Sequence, residues 1–566
     1  MKLKSALMGA AASLVFAPAA FAERGADGHV NVLYWQAPSL MNPYLSGGTK
    51  ELEVASPVIE PLARFSPSGE MIPHLAEEIP TLDNGGFAQD LKSITWKLKK
   101  DIKWNDGSDF TADDVVFTWQ YCTHPEGGCA QASKFHGVEK VEAIDPHTVK
   151  VSFVEPKPYP YATFSGPMQP ILQKKQFENC LGTAAPTCTE QNFKPIGTGP
   201  FKVVDFKTND VIQYEANPYF READKPAFAT MTIKGGGDPE AAVRAVLETG
   251  EFDYAWNAMI APEVMEQMTA AGKGKAVVSF GTLVERIMTN LTNPSAQLPE
   301  GERATVKHPH PFMTDPAVRK ALSMAIDREL LTEVGYGPTG KPTCDFVPAP
   351  EAYAANNTSC LQQDIEGANA LLEEAGYKKG ADGIREKDGV RLSILYQTST
   401  NAVRQDFQSM IKDWWAEIGV ETELKNVAGA VYFGSDPGSP DTLVKFYADV
   451  EMYANNFDGT DPAAYLADFT CEKIPGPDTG WQGPNYNRIC SEEYDAMINE
   501  LNRTADPAAR QELAKKINNW LTVENNHIIP LVHRGAVAVH GNSLGGVVLN
   551  SVDASIWNVK DWHRVK

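Results

Sequence analysis

The chain is 566 residues long and 43% hydrophobic, enough for a large core spread over about two to four domains of ordinary size. Its 51 basic against 73 acidic residues leave a formal net charge of −22. That excludes nucleic acid and anionic membrane surfaces as partners, since neither returns counterion-release energy to an acidic surface.

Met1–Ala22 reads as a secretory signal, with Lys2 and Lys4 at the start, a small apolar run over Ala6–Ala20, and the cleavage triplet Ala20-Phe21-Ala22. Cleavage after Ala22 would place the mature chain in the periplasm. The apolar run contains Pro18 and falls short of the ~20 residues that span a bilayer; no cysteine near the cut offers a lipid attachment point.

HVNVLYW, His29–Trp35, is the first strand candidate. Ile94, Trp96 and Leu98 alternate with Thr95, Lys97 and Lys99, which predicts a half-buried strand. Asn105-Asp106-Gly107 supplies a tight turn. Thr111, three residues before Asp114, is spaced as a capping box opening a helix whose apolar face carries Val115, Val116 and Trp119. Two alternating strands flank Thr208-Asn209-Asp210. Helix starts with an N-cap Asp followed by Pro recur at Asp238-Pro239, Asp315-Pro316 and Asp506-Pro507. After the second of these, Val318, Leu322, Ile326 and Leu330 predict one buried stripe. Val403, Phe407, Ile411, Trp414 and Ile418 predict another.

Eight cysteines in an exported chain point to disulfides. About a hundred pairings are formally possible, yet the cysteines fall as local couples around Gly-, Pro-, Thr- or Asn-rich loops. The expected bridges are Cys122–Cys129, Cys180–Cys188, Cys344–Cys360 and Cys471–Cys490. No C-x-x-C spacing supports a metal site instead.

Taken as strings, several segments resemble one family. ITWKLKKDIKWNDGSDFTADDVVFTWQY (Ile94–Tyr121) is similar to the signature of the solute-binding proteins of family 5, the oligopeptide, dipeptide and nickel type. PIGTGPFKVVDF (Pro195–Phe206), LETGEFDYAWNA (Leu247–Ala258) and PFMTDPAVRKALSMAIDRELL (Pro311–Leu331) follow in the family's order. ANALLEEAGY (Ala368–Tyr377) and IIPLVHRGAVAVH (Ile528–His540) complete the series. The resemblance implies an α/β fold: a two-lobed periplasmic-binding-protein clamp of type II with mixed sheets, flanking helices and an extra inserted subdomain. By analogy 23–65, 195–285 and 525–566 form the main part of the first lobe, 66–194 the insertion, and 286–524 the second lobe. The hinge crossings are expected near Thr282–Asn290 and Val523–Ile529. The implied role is the substrate-binding component of an ABC importer, monomeric, without cofactor and without enzymatic activity. Its implied partners are a ligand, an inner-membrane permease and the ATPase subunits.

The resemblance also singles out Asp458. In NNFDGTDPAAYL it precedes Pro462 by four positions, as the Asp of peptide-binding members does, where it meets the ligand's α-ammonium group. Asp458-Gly459 is equally a turn pair. Peptide-binding members usually carry Trp three positions before this Asp; here that residue is Asn455. Asn455 and Asn456, beside Phe457, could bond hydroxyls or ring oxygens. Peptides are thus the first ligand class, with an opine, a sugar conjugate or a nickel chelate as the alternative. Trp481, Trp256, Tyr34 and Trp35 are aromatic candidates for the cleft, each equally readable as packing. Arg488 is the one basic residue named for a ligand carboxylate.

Two rival motifs are weaker. Gly541-Asn542-Ser543-Leu544-Gly545 matches G-x-S-x-G, but a strand-like VVLN follows it instead of a helix, and only His563 lies downstream. His308 and His310 in a polar loop lack any metal-ligand spacing.

Overall fold

The computed structural model describes residues 23–299, 301–434, 436, 438–457 and 459–565. The expected signal Met1–Ala22 and the candidate Asp458 lie outside the described residues. Among the described residues no helix is long and apolar enough to cross a membrane.

Three sheets organise the molecule. The first has seven strands in the spatial order Gly274–Ser279, Ala536–Gly541, Tyr254–Trp256, His29–Tyr34, Thr230–Gly235, Val211–Ala216 and Phe201–Lys207. His29–Tyr34 runs parallel to both its neighbours. Its period of two divides it between two cores: Val30, Val32 and Tyr34 enter one apolar cluster, Leu33 and Trp35 the other. Coverage on both faces is what a parallel strand pair requires.

The second sheet has six strands, ordered Gly340–Pro342, Ile528–Arg534, Val284–Thr289, Val450–Asn455, Ser393–Ser399 and Glu421–Val427. The helix Ala402–Glu417 packs on it through Val403, Phe407, Ile411 and Trp415. Trp415, not Trp414, is the fully buried tryptophan; Trp414 packs at the margin. The stripe expected to run from Val318 to Leu330 is broken. Pro316–Met324 ends, Asp327 caps a second helix, Arg328–Gly335, by accepting the Leu330 N–H at 2.9 Å, and the restarted register buries Leu331 and exposes Leu330.

The third sheet, Ser93–Lys97, Thr148–Phe153 and Val138–Asp145, lies within 66–194 and carries the helix Ala112–Thr123. Ile94, Trp96 and Leu98 are buried as their alternation predicts. The Asp114 carboxylate accepts the Thr111 N–H at 2.9 Å and the Lys174 N–H at 2.9 Å, so the cap also ties down the next segment. Gly107 has φ +84° and faces the Tyr219 ring, where a Cβ would be crowded.

Sheet membership corrects the expected crossings. Val284–Thr289 lies wholly in the second sheet, so the first crossing is the short link 280–283. Ile528–Arg534 was expected in the first lobe, yet it pairs with Val284–Thr289 and Gly340–Pro342 of the second. The second crossing is therefore Gly535, which divides IIPLVHRGAVAVH between two sheets. A Cβ there would lie 2.6 Å from Val278 Cγ1. All four expected disulfides are formed. Asn542-Ser543 is a turn between Ala536–Gly541 and the two-residue strand Leu544–Gly545, with strand and irregular chain, not a helix, directly after it.

Candidate ligand-binding site

The C-terminal ends of central strands from both large sheets converge on a chamber of about 230 Å³ between the lobes. Trp256 and Asn257 arrive at the end of Tyr254–Trp256, and Asn455 at the end of Val450–Asn455. The segment that continues from Asn455 is held on the link 280–283 between the two sheets. Thr282 Oγ1 donates to the Phe457 carbonyl at 2.8 Å, and accepts the Phe457 N–H at 3.1 Å.

Of the residues singled out in the sequence, Asn455, Asn456, Phe457, Trp481 and Trp256 line this chamber together. Tyr34 and Trp35 stand behind its wall. The Tyr34 ring stacks on Trp256 with centroids 4.8 Å apart, and its hydroxyl donates to Glu53 at 3.3 Å. Trp35 Nε1 donates to the Asn257 carbonyl at 2.9 Å, holding Asn257 at φ +51°. Both tryptophan and tyrosine position wall residues without reaching the space. Arg488 is not available to a ligand. Its guanidinium donates to the carbonyls of Ala304, Tyr486, Val444 and Lys445, so it knits loops together.

Trp481 lies in the loop closed by Cys471–Cys490 and has φ +62°, a conformation costing a non-glycine residue about 1 kcal/mol or more. The Lys445 ammonium sits 3.9 Å from its ring centroid and compensates part of that.

The charged residues of the chamber were not legible in advance. Arg286, 1% exposed, projects among Phe346 and Tyr453, with ring centroids 4.8 and 5.0 Å away. It donates to Tyr465 Oη at 2.9 Å and to the Asn455 carbonyl at 3.3 Å. Arg404, on the buried half of Ala402–Glu417, donates to Glu285 at 2.8 and 3.2 Å and to Ser399 Oγ at 2.8 Å. A guanidinium has five N–H donors, so two of Arg404's are left over among these contacts. Asp468 comes from the second lobe to meet Ser133 and Lys134 of the insertion; burial, opposed by Lys134 and Ser133, pushes its carboxyl up to about 6. The available signal was charge inside apolar pattern: Glu285-Arg286 interrupt VERIM, and Arg404 sits between Val403 and Phe407.

The helix Thr49–Ala55 carries the same signal, since Lys50, Glu51 and Glu53 are all buried. Lys50 pairs with Glu51 at 2.6 Å. Glu53 accepts the Ser555 N–H at 2.9 Å and hydroxyl at 2.8 Å, yet desolvation prevails and its carboxyl rises to about 7. A carboxyl raised in the folded state stabilises most below its unfolded value near 4.5, and that contribution fades as pH rises through 7. The change is on the order of 3 kcal/mol. Glu53→Gln should therefore flatten the fall of ligand-free melting temperature between pH 4.5 and 8. Parallel curves for the two proteins would mean that Glu53 ionises freely in the fold.

Direct contacts join the lobes around the chamber. Arg534 Nη2 donates to Asn257 Oδ1 at 2.6 Å, Asn401 Nδ2 to the Met259 carbonyl at 3.3 Å, and the Gly459 N–H to the Val552 carbonyl at 3.1 Å. At the rim, Arg503 donates to Glu155 of the insertion at 2.6 and 3.2 Å. The arrangement is closed, and it can surround a small polar solute with both charge signs and aromatic faces.

The family model for bacterial extracellular solute-binding proteins, family 5 Middle, matches residues 70–475. The oligopeptide-binding protein AppA of Bacillus subtilis is 27% identical over 409 residues, 69% of this chain and 67% of AppA. The structure of AppA in complex with a nonapeptide matches with a TM-score of 0.81 at 22% identity, covering 96% of this chain and 100% of that one. The glutathione-binding protein GsiB of Escherichia coli is 23% identical over 511 residues, 89% of each chain. NikZ of Campylobacter jejuni in complex with Ni(L-His) matches with a TM-score of 0.79 at 23% identity, over 95% of this chain and 100% of NikZ.

Proposed function

This chain belongs to the bacterial extracellular solute-binding proteins of family 5, the substrate-binding components of ABC importers, and from that premise we propose that its ligands are peptides. The family binds and delivers its solute; it is not a family of enzymes. The observation that carries the peptide reading is the interlobe chamber itself. It combines buried cations from the second lobe with backbone edges and aromatic faces from both lobes. Relatives named for an oligopeptide and for glutathione add support.

In this reading the lobes rotate about 280–283 and Gly535, and the ligand bridges them on closure. The spare donors of Arg404, with Arg286 nearby, supply positive charge for a ligand carboxylate; Asp458 takes the ammonium end. Asn455, Asn456 and Phe457 line its path, between the walls of Trp256 and Trp481. Closure brings one matched pair of lobe surfaces to an inner-membrane permease with its ATPase subunits, so the membrane partner reads the liganded state. The protein acts as a monomer in the periplasm after cleavage behind Ala22.

Asp458→Ala should weaken an amine-bearing ligand by ~1.5–3 kcal/mol, the range for losing a charged hydrogen bond. Unchanged affinity in calorimetry would remove Asp458 from the site. The broader test is native mass spectrometry of the purified protein, with the released small molecules identified after denaturation. A set of short peptides is the expected result. A single opine, sugar-conjugate or nickel-chelate mass would overturn the peptide reading and make Asn455 and Asn456 the next residues to vary.

A further inference from the structure

We propose that the ligand site continues outward into a second chamber, which receives the distal part of an oligopeptide and favours basic side chains there. The inference rests on the peptide reading above and adds to it a length class and a charge preference.

The inner chamber, at about 230 Å³, is below the roughly 300–1,000 Å³ usual for a site that encloses a small molecule. It holds one end of a ligand more readily than a whole oligopeptide. Beside it lies a second space of about 1200 Å³. The two adjoin: Ser133 and Ala130 of the insertion, and Asp436, Gly480, Gln482 and Pro484 of the second lobe, line both. Trp481, between Gly480 and Gln482, marks the threshold, with Lys445 over its ring.

The outer chamber is bounded by two covalently closed loops. Cys122–Cys129 ties the loop of the insertion, and Cys471–Cys490 ties the facing loop of the second lobe. The loops meet across the mouth, where a Cβ on Gly128 would be 3.3 Å from Gln482 Cγ. A short bridged loop has few conformations to lose when something is laid against it, so such walls can hold a ligand at low entropic cost.

The lining of this space carries an excess of negative charge. It includes Glu126, Asp436, Glu472 and Asp478 against Lys473 and His124. Glu472 is partnered by Lys473 at 3.1 Å; Glu126 and Asp478 are exposed. Carboxylates gathered in a cleft attract cationic groups more strongly than the same charges spread over a flat surface.

The test compares binding by calorimetry of Ala-Ala and of pentapeptides with two lysines or two glutamates at either end, in low salt. The lysine pentapeptides should bind on the order of tenfold more tightly than their glutamate counterparts. The better of the two lysine orders reports which terminus faces outward. Glu126→Gln with Asp478→Asn should shrink that ratio at least about threefold and leave Ala-Ala unchanged. Cys122→Ser with Cys129→Ser should weaken the pentapeptides alone. An unaltered ratio in the charge variant, or equal losses for Ala-Ala and pentapeptides, would overturn the outer chamber while the peptide reading stands. Failure of every peptide, Ala-Ala included, would overturn both.

Discussion

Replacing Glu285 by glutamine is expected to destabilise the protein by ~3–5 kcal/mol, the cost of breaking a buried ion pair from one side. Glu285 is fully buried in Val284–Thr289 and accepts from Arg404 at 2.8 and 3.2 Å and from Tyr336 Oη at 2.9 Å; Arg534 lies 3.7 Å away. Burial alone would raise this carboxyl. Arg404 first, then Arg534, outweigh it and hold the carboxyl below the ordinary range. A depressed carboxyl stabilises above its unfolded value, near 4.5, and loses that contribution as pH falls through the folded value. Glutamine keeps the shape but leaves two buried guanidiniums without their charge partner. Both line the ligand chamber, and Arg534 also reaches Asn257 of the first lobe, so closure should weaken together with stability. Urea unfolding, with hydrogen exchange over Val284–Thr289 to report the second lobe, measures the effect. Adding Arg404→Met to Glu285→Gln should recover part of the loss, because one unpaired charge is then gone. A loss under ~1 kcal/mol for Glu285→Gln would mean that water reaches the cluster.

The second large effect is expected from Gly197→Ala, in the PIGTGPF segment. A Cβ at Gly197 would overlap the carbonyl oxygen of Val58, and one at Gly199 that of Pro57. The contact is backbone against backbone, so no side chain can rotate away. It is also a junction. Gly199 N–H donates to the Val58 carbonyl at 2.8 Å, Phe201 N–H to Pro57 at 3.1 Å, and Asn105 N–H to the Gly197 carbonyl at 2.8 Å. The first sheet, the chain after Thr49–Ala55 and the insertion meet there. The substitution must separate them, costing at or beyond the upper end of the ~1–3 kcal/mol typical of overpacking. Thermal melting checks it against Gly476→Ala, where an added Cβ meets nothing within 4 Å. Equal melting temperatures for the two variants would mean that the segments at Val58 and Gly197 part easily.

Local pattern accounts for what was legible in the chain. Alternation placed Ile94, Trp96 and Leu98 inside because a strand's two faces see different solvents. The cysteine couples were readable because each pair closes a short loop. Ordered family strings carried the two-lobed fold and pointed to Asn455–Phe457, a segment that lines the chamber. Where local rules compete, pattern misled. Leu330 fits the stripe begun at Val318, but the cap at Asp327 restarts the helix and turns Leu330 outward. Tyr34 and Trp35 are aromatic neighbours of the cleft in sequence and supports behind its wall in space.

By itself, then, the sequence determined the elements, their covalent staples and the family to which they belong, since these depend on residues a few positions apart or on a recognisable string. Only the tertiary structure decided the rest. Gly535 became the passage between the two large sheets because Ile528–Arg534 pairs in one and Ala536–Gly541 in the other, and a side chain there would strike Val278. Glu285, Arg404 and Arg534, spread over 250 positions of chain, became one buried cluster because three elements of the second lobe fold onto one another. The sign of charge at each point of the cleft follows from such long-range neighbours. Coulomb interactions and desolvation depend on distance in space, which no local spacing in the sequence encodes.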